Sequence, residues 1–306
     1  MTTPAARFGA WFYSQPYILL STTATAWGGN IVIGHVAAGH IPPLALAQAR
    51  WTRWISAFVI LTLIFWPKVR QDFPVIRRSF PILLLLSFVG ITLYNSLAYV
   101  GLQYMQAVNG ALMQSTAPFS IALWSLLLFR DRLTRGQIGG ILLSSLGVLA
   151  IITDGDPARL SELSVNPGDL FLIAAMASYA LYASLLRKRP PIHPMSFLVL
   201  TIGLGGLILM PATAMEMASG FTMKVDTQMI LSLTYVILIA TIVAYICFNR
   251  GVELIDPNRA GPFFHLIPVV ASLLAIVFLG ETFQLYHAVC YALILSGIFL
   301  AQRLSR

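Results

Sequence analysis

The sequence predicts an all-α integral membrane protein, with ten transmembrane helices arranged as two inverted five-helix repeats. Three observations lead there: an apolar composition, ten apolar runs of spanning length, and a passage that recurs 150 residues later. Of the 306 residues, 58% are hydrophobic and 10% are charged, whereas soluble domains carry about 25% charged residues. A soluble chain this apolar would leave extensive apolar surface in water, so lipid is the expected solvent for most of it. No gap between the runs is long enough, or patterned enough, for a separate soluble domain.

A helical crossing needs about 20 mostly apolar residues. The candidates are 16–36, 43–66, 81–104, 107–129, 136–153, 168–186, 195–217, 228–249, 259–279 and 283–302. Pro16, Pro43, Pro81 and Gly136 punctuate their ends. The stretch 81–129 divides in two because its 49 residues are too many for one crossing. The first fifteen residues lack a charged head and a small-residue cleavage site, so the first run is expected to stay as a span. Cys247 and Cys290 both lie within apolar runs and point to neither a disulfide framework nor a thiol metal site. No cofactor and no metal are expected.

Charge orients the spans. With a cytoplasmic N-terminus, the inside segments hold fifteen Lys and Arg residues, among them Lys68, Arg70, Arg77, Arg78, Arg130, Arg132, Arg135, Arg187, Lys188 and Arg189. The outside segments hold two, Arg159 and Lys224, and Arg50 and Arg53 fall within the second span. This positive-inside bias predicts cytoplasmic N- and C-termini. It also accounts for the net charge of +8 through lipid headgroups, so no nucleic-acid partner is expected.

The recurring passage reads APFSIALWSLLLFRDRL at 117–133 and IPVVASLLAIVFLGETF at 267–283. Pro118 falls on Pro268, Asp131 on Glu281 and Gly147 on Gly297. Each half, 1–153 and 154–306, then holds five spans. Five is odd, so the second half enters the membrane inverted, as in many secondary transporters. The tip Arg130-Asp131-Arg132 stays inside with its arginines, while Gly280-Glu281-Thr282 lies outside without any. Inversion implies alternating access, with a substrate site between the halves near the midplane. A duplication without moving parts is the alternative.

Polar groups within spans should face the bundle interior. Asn95 and Tyr99 share one helix face, and 150 residues later the pair becomes Tyr245 and Asn249. They either wall a cavity, with Tyr94 beside them, or join helices by hydrogen bonds. Trp27 and Asn30 in span one match Tyr179 and Tyr182 in span six; such aromatic groups either stack on a flat or cationic substrate or simply pack. Gln114, Ser115 and Pro118 in span four match the region of His265 and Pro268 in span nine. The prolines act either as flexing points or as static kinks. His265 either titrates or is a hydrogen-bonded neutral side chain. Arg50 either meets a substrate carboxylate or snorkels to headgroups.

A resemblance joins these residues. Trp27-Gly28-Gly29-Asn30 followed by Pro43 and Arg50, Leu128–Thr134 followed by Gly136–Leu142, and Leu279-Gly280-Glu281-Thr282 together resemble the EamA family of the drug/metabolite transporter superfamily. Within it the chain is similar to YddG-type aromatic amino acid exporters. The resemblance covers nearly the whole chain and implies a transporter of small metabolites. Many members carry Glu at the end of both span four and span nine, and here the first is Asp131.

All eleven carboxylates lie in loops or near span ends, whereas proton- and cation-coupled transporters commonly hold one within a span. A neutral or zwitterionic substrate with little or no proton coupling is therefore expected, and the resemblance implies export of amino acids, including aromatic ones. A multidrug or other-metabolite exporter is the alternative. No H-E-x-x-H or G-x-S-x-G motif occurs, so no enzyme is expected. No short re-entrant filter segment marks a channel. Ten spans with an internal duplicate can close a pathway in one chain, so the expected partners are a small-molecule substrate and the bilayer, and the expected state is a monomer.

Overall fold

The computed structural model describes residues 4–38, 45–102, 104, 116–153, 155, 156, 158, 167–218, 227–280 and 282–303. Among these, every regular element is helical. α1 (Pro4–Tyr13) and α2 (Pro16–Ala38) lead into α3 (Ala45–Arg78). A continuous helical run follows: α4 (Phe80–Ser87), a π-helical segment (Phe88–Leu93) and α5 (Tyr94–Leu102). α6 (Ala117–Phe129) and α7 (Arg135–Ile152) complete the first half. α8 (Pro167–Leu185), with a short 3₁₀ turn at Leu186–Lys188, and α9 (Pro194–Ala218) open the second. α10 (Thr227–Tyr235), a second π-helical segment (Val236–Val243) and α11 (Ala244–Ile255) come next. Then come α12 (Pro257–Ala260), a 3₁₀ segment (Gly261–His265), α13 (Leu266–Leu279) and α14 (Leu285–Arg303).

Seven described helical stretches are long and apolar enough to cross a bilayer, from Phe80–Ala98 through Leu285–Arg303, and Ala117–Phe129 is a shorter apolar helix. Leu63, Leu127, Leu170, Val277, Phe278 and Leu285 stand largely exposed, as lipid-facing side chains should. The expected break after the second span is not a loop. α3 continues through Pro67 and Pro74 to Arg78, about 51 Å at 1.5 Å per residue. Val69 and Ile76 on this extension are buried in the core, which compensates for the hydrogen bonds the prolines remove. Asp72 also accepts from the His193 N–H at 2.9 Å.

The packing repeats itself across the halves. α8 packs on α5 and α6, while α2 packs on α11 and α13. A shift of 150 residues takes α5 to α11 and α6 to α13, and the same step takes α2 to α8. The remaining strong pairings, α3 with α9 and α7 with α14, exchange into themselves. α7 and α14 approach so closely that a Cβ on Gly140 would sit 2.4 Å from the Gly297 carbonyl. One on Gly147 would sit 2.8 Å from the Cys290 carbonyl. A Cβ on Gly297 would in turn sit 2.6 Å from the Gly140 carbonyl, the image of the Gly147 contact, since 140 maps to 290 and 147 to 297.

Candidate functional site

The two π-helical segments occupy matching places: Phe88–Leu93 and Val236–Val243 both end one residue before the Tyr94 and Ala244 positions. A π-helical stretch disturbs the i→i+4 ladder and frees carbonyls, which is why such segments collect at functional sites. Here carbonyls of both segments accept from aromatic donors of the opposite half. The Tyr245 hydroxyl donates to the Gly90 carbonyl at 3.3 Å. The Trp27 indole N–H donates to the Ala240 carbonyl at 3.1 Å. Gly90 and Ala240 are 150 residues apart, so each half offers the same carbonyl to the other.

Around these bonds an aromatic cluster fills the seam. Trp27 lies edge-on to Tyr179 at 5.7 Å and to Tyr245 at 6.2 Å, and is tilted against Phe248 and Phe264. Tyr179 also meets Tyr94 at 4.9 Å and Tyr182 at 5.5 Å. Such offset and edge contacts are the favourable arrangements for aromatic rings. Thr23, Phe248, Phe263 and Phe264 line a crevice beside Trp27 with a volume of about 10 Å³, enough for roughly one water. The cluster is thus packed shut on this side.

The polar side chains of the cluster differ in their bonding. The Tyr182 hydroxyl donates to Asn249 Oδ1 at 2.8 Å, and Asn95 Nδ2 donates to the Ile91 carbonyl of its own helix at 2.6 Å. The Tyr179 hydroxyl is fully buried and meets no hydrogen-bond partner among the described residues. An unpaired buried hydroxyl costs about 1–3 kcal/mol, so this group is poised for a partner that the described protein atoms do not supply.

The sequence-expected residues divide accordingly. Trp27, Tyr94, Tyr179, Tyr182, Tyr245 and Asn249 come together, with Asn95 buried on the neighbouring turn. Asn30 is half-buried one turn beyond Trp27. His265 lies apart in contact with α7: its Nδ1 is 2.6 Å from Ser144 Oγ, the hydrogen-bonded alternative foreseen for it. Pro118 is the second residue of α6, and Pro268 the third of α13, after a 3₁₀ segment. Both therefore sit in a first helical turn, where a missing N–H costs little. Gln114 and Ser115 lie outside the described residues, as do the side chains of Arg50 and Tyr99. Phe248, Phe264 and the two π carbonyls were missed by sequence reasoning; Phe248 was reachable, since it precedes Asn249.

Known proteins agree with this architecture. The model of the EamA-like transporter family matches twice, at residues 14–153 and 166–302. A probable amino-acid metabolite efflux pump of Salmonella typhimurium is 28% identical over 90% of this chain and 90% of its own length. That of Escherichia coli is 26% identical over 92% and 93%. The uncharacterized transporter YyaM of Bacillus subtilis is 25% identical over 95% and 94%. A solved crystal structure superposes with a TM-score of 0.73 over 94% of this chain and 96% of that one, at 20% identity, a likeness of fold alone. With both of its halves matched by one family model, the chain belongs to the EamA-like transporter family, a family of membrane transporters.

Proposed function

We propose that the protein exports small neutral or zwitterionic metabolites, amino acids including aromatic ones, by alternating access of two inverted five-helix halves. It would do so across a bacterial cytoplasmic membrane, with both termini inside and with little or no proton coupling. The observation that carries this reading is the seam itself: an aromatic cluster shared by both halves which, among the described residues, holds the buried Tyr179 hydroxyl without a partner and no carboxylate. Ring faces suit a flat apolar side chain, and a phenol can meet a neutral amino or carboxyl group. The names of the Salmonella and Escherichia relatives point the same way.

The second reading is a multidrug exporter, because the same ring faces also attract lipophilic cations. A competition panel in proteoliposomes separates the two. Unlabelled Trp, Phe or Thr should compete for transport while lipophilic cations do not. Tyr179→Phe should raise KM by about tenfold, the worth of one hydrogen bond at about 1.5 kcal/mol, with folding unchanged. Competition by cations alone favours the second reading, and strong uphill accumulation driven by a pH gradient refutes the uncoupled one.

A further inference from the structure

The backbone repeats, but the charges at the two ends of the bundle do not. At the basic end Arg187, just past α8, donates to Asp131 beyond α6 and pairs at 3.1 Å with Asp256, the joint between α11 and α12. Its guanidinium also covers the Phe129 ring at 5.2 Å. Arg189 pairs with Glu253 at 3.3 Å, and Glu253 holds Arg250 at 3.1 Å. Arg250 in turn lies over the Tyr13 ring and donates to the Tyr13 carbonyl. Two sets of ionic contacts result: Arg187 ties α6 of the first half to the end of α8 and the α11–α12 joint of the second, and Arg189, Glu253 and Arg250 join the end of α8 to α11 and, through Tyr13, to α1.

The matching segments of the first half carry no such charges in their sequence. Where the second half carries Arg250, Glu253, Asp256 and Arg259, the first carries Val100, Gln103, Gln106 and Asn109. Residues 100–109 contain no charge at all, and neither does 34–42, which matches the turn after α8. Glu281, the counterpart of Asp131, has no arginine in those segments to face.

Strain marks the same place. Asp256 has φ 70° and ψ 153°, a region essentially reserved for glycine, which persists only where the surroundings enforce it. Arg187 holds its carboxylate, and Pro257 fixes the next residue.

We propose that Arg187 centres a one-sided ionic latch that holds the cytoplasmic mouth shut and biases the resting transporter toward the state open on the far side. This rests on the alternating-access reading above. Two identical inverted halves would make inward-open and outward-open states nearly equal; ion pairs whose arginines have no charge at their matching positions remove that equality. Exposed pairs are individually weak, so the latch can open in every cycle. Opening the seam between the halves parts Arg187 of the second half from Asp131 of the first. Arg187 is a gating residue and never needs to touch the solute.

The test reads access and needs no substrate. Ala260 is buried beside the Trp27 crevice. Ala260→Cys is introduced with Cys247→Ala and Cys290→Ala, and an impermeant thiol reagent is applied to the cytoplasmic face of inside-out vesicles. Arg187→Gln should raise the labelling rate about three- to tenfold, the range of a small network of exposed pairs. Raising salt from about 0.01 M to about 1 M, which shortens screening from about 30 Å to about 3 Å, should raise the parent rate and leave the Arg187→Gln rate nearly constant. If Arg187→Gln fails to fold, the parent salt response and Arg187→Lys decide. Salt-independent labelling, or a salt response equal in parent and variant, overturns the latch. A transport panel without any competing amino acid would instead sink the proposed function and leave this result standing.

Discussion

Arg130 closes α6 and Gly280 closes α13, 150 residues apart, and both take left-handed φ angles, 60° and 74°. Glycine adopts that conformation without penalty, whereas an L-residue gives up about 1–2 kcal/mol. The helix ends next door repeat the contrast. Thr134 and Gln137 form a reciprocal capping box at the start of α7. Gln284 and His287 hold the same two places before α14, and there the Gln284 N–H is received by His287 Nδ1 at 3.0 Å. The lesson is that the fold prescribes the backbone of both halves, while the end of the bundle chooses the side chain. Arg130 accepts local strain and supplies a charge at the basic end; Gly280 has no such duty.

The equivalence of the halves is tested most severely where they cross. Gly140→Leu and Gly147→Leu should each destabilise by about 3 kcal/mol or more, since either side chain meets backbone of α14. Thermal unfolding in detergent measures this. Gly139→Leu is the control, because a Cβ there meets only Leu300, at 3.5 Å. Marked inequality between Gly147→Leu and its image Gly297→Leu, whose Cβ would sit 2.6 Å from the Gly140 carbonyl, would break the proposed exchange of the halves.

A smaller effect separates two tyrosines of the seam. Tyr182→Phe leaves Asn249 Oδ1 without its donor and should cost about 1–3 kcal/mol of stability. Tyr179→Phe removes no hydrogen bond among the described residues, so stability should stay within about 0.5 kcal/mol while KM rises. Equal stability losses would show that Tyr179 has an unseen structural partner instead of a solute.

The helix ends give the smaller shifts. Arg130→Gly should stabilise by about 1 kcal/mol and Gly280→Ala should destabilise by a similar amount. Gln137→Ala should cost about 1 kcal/mol through the lost capping box, whereas His287→Gln, which copies the first half's cap, should remain within about 0.5 kcal/mol. A destabilising Arg130→Gly would mean that its charge, and not its backbone, dominates.

Much of the site was legible. The exchange of Asn95 and Tyr99 for Tyr245 and Asn249 pointed to the seam, and the pairing of Trp27 with Tyr179 and Tyr182 pointed to its aromatic character. His265 was legible only as a pair of alternatives, because hydrogen bonding to Ser144 depends on a helix more than a hundred residues away. Arg187 read as one more member of a basic segment, since nothing local reveals that Asp131 and Asp256 converge on it. The continuation of α3 past Pro67 was hidden for the same reason: the buried neighbours of Val69 and Ile76 outweigh a local breaker.

By itself the sequence determined the apolar runs, the basic segments and the internal duplicate, because transfer into lipid and charge at its edge are costs borne residue by residue. The tertiary structure alone decided the π-helical registers at 88–93 and 236–243 and the crossed bonds from Tyr245 to Gly90 and from Trp27 to Ala240. Both bonds join helices far apart in the chain, so no local pattern of residues could specify them.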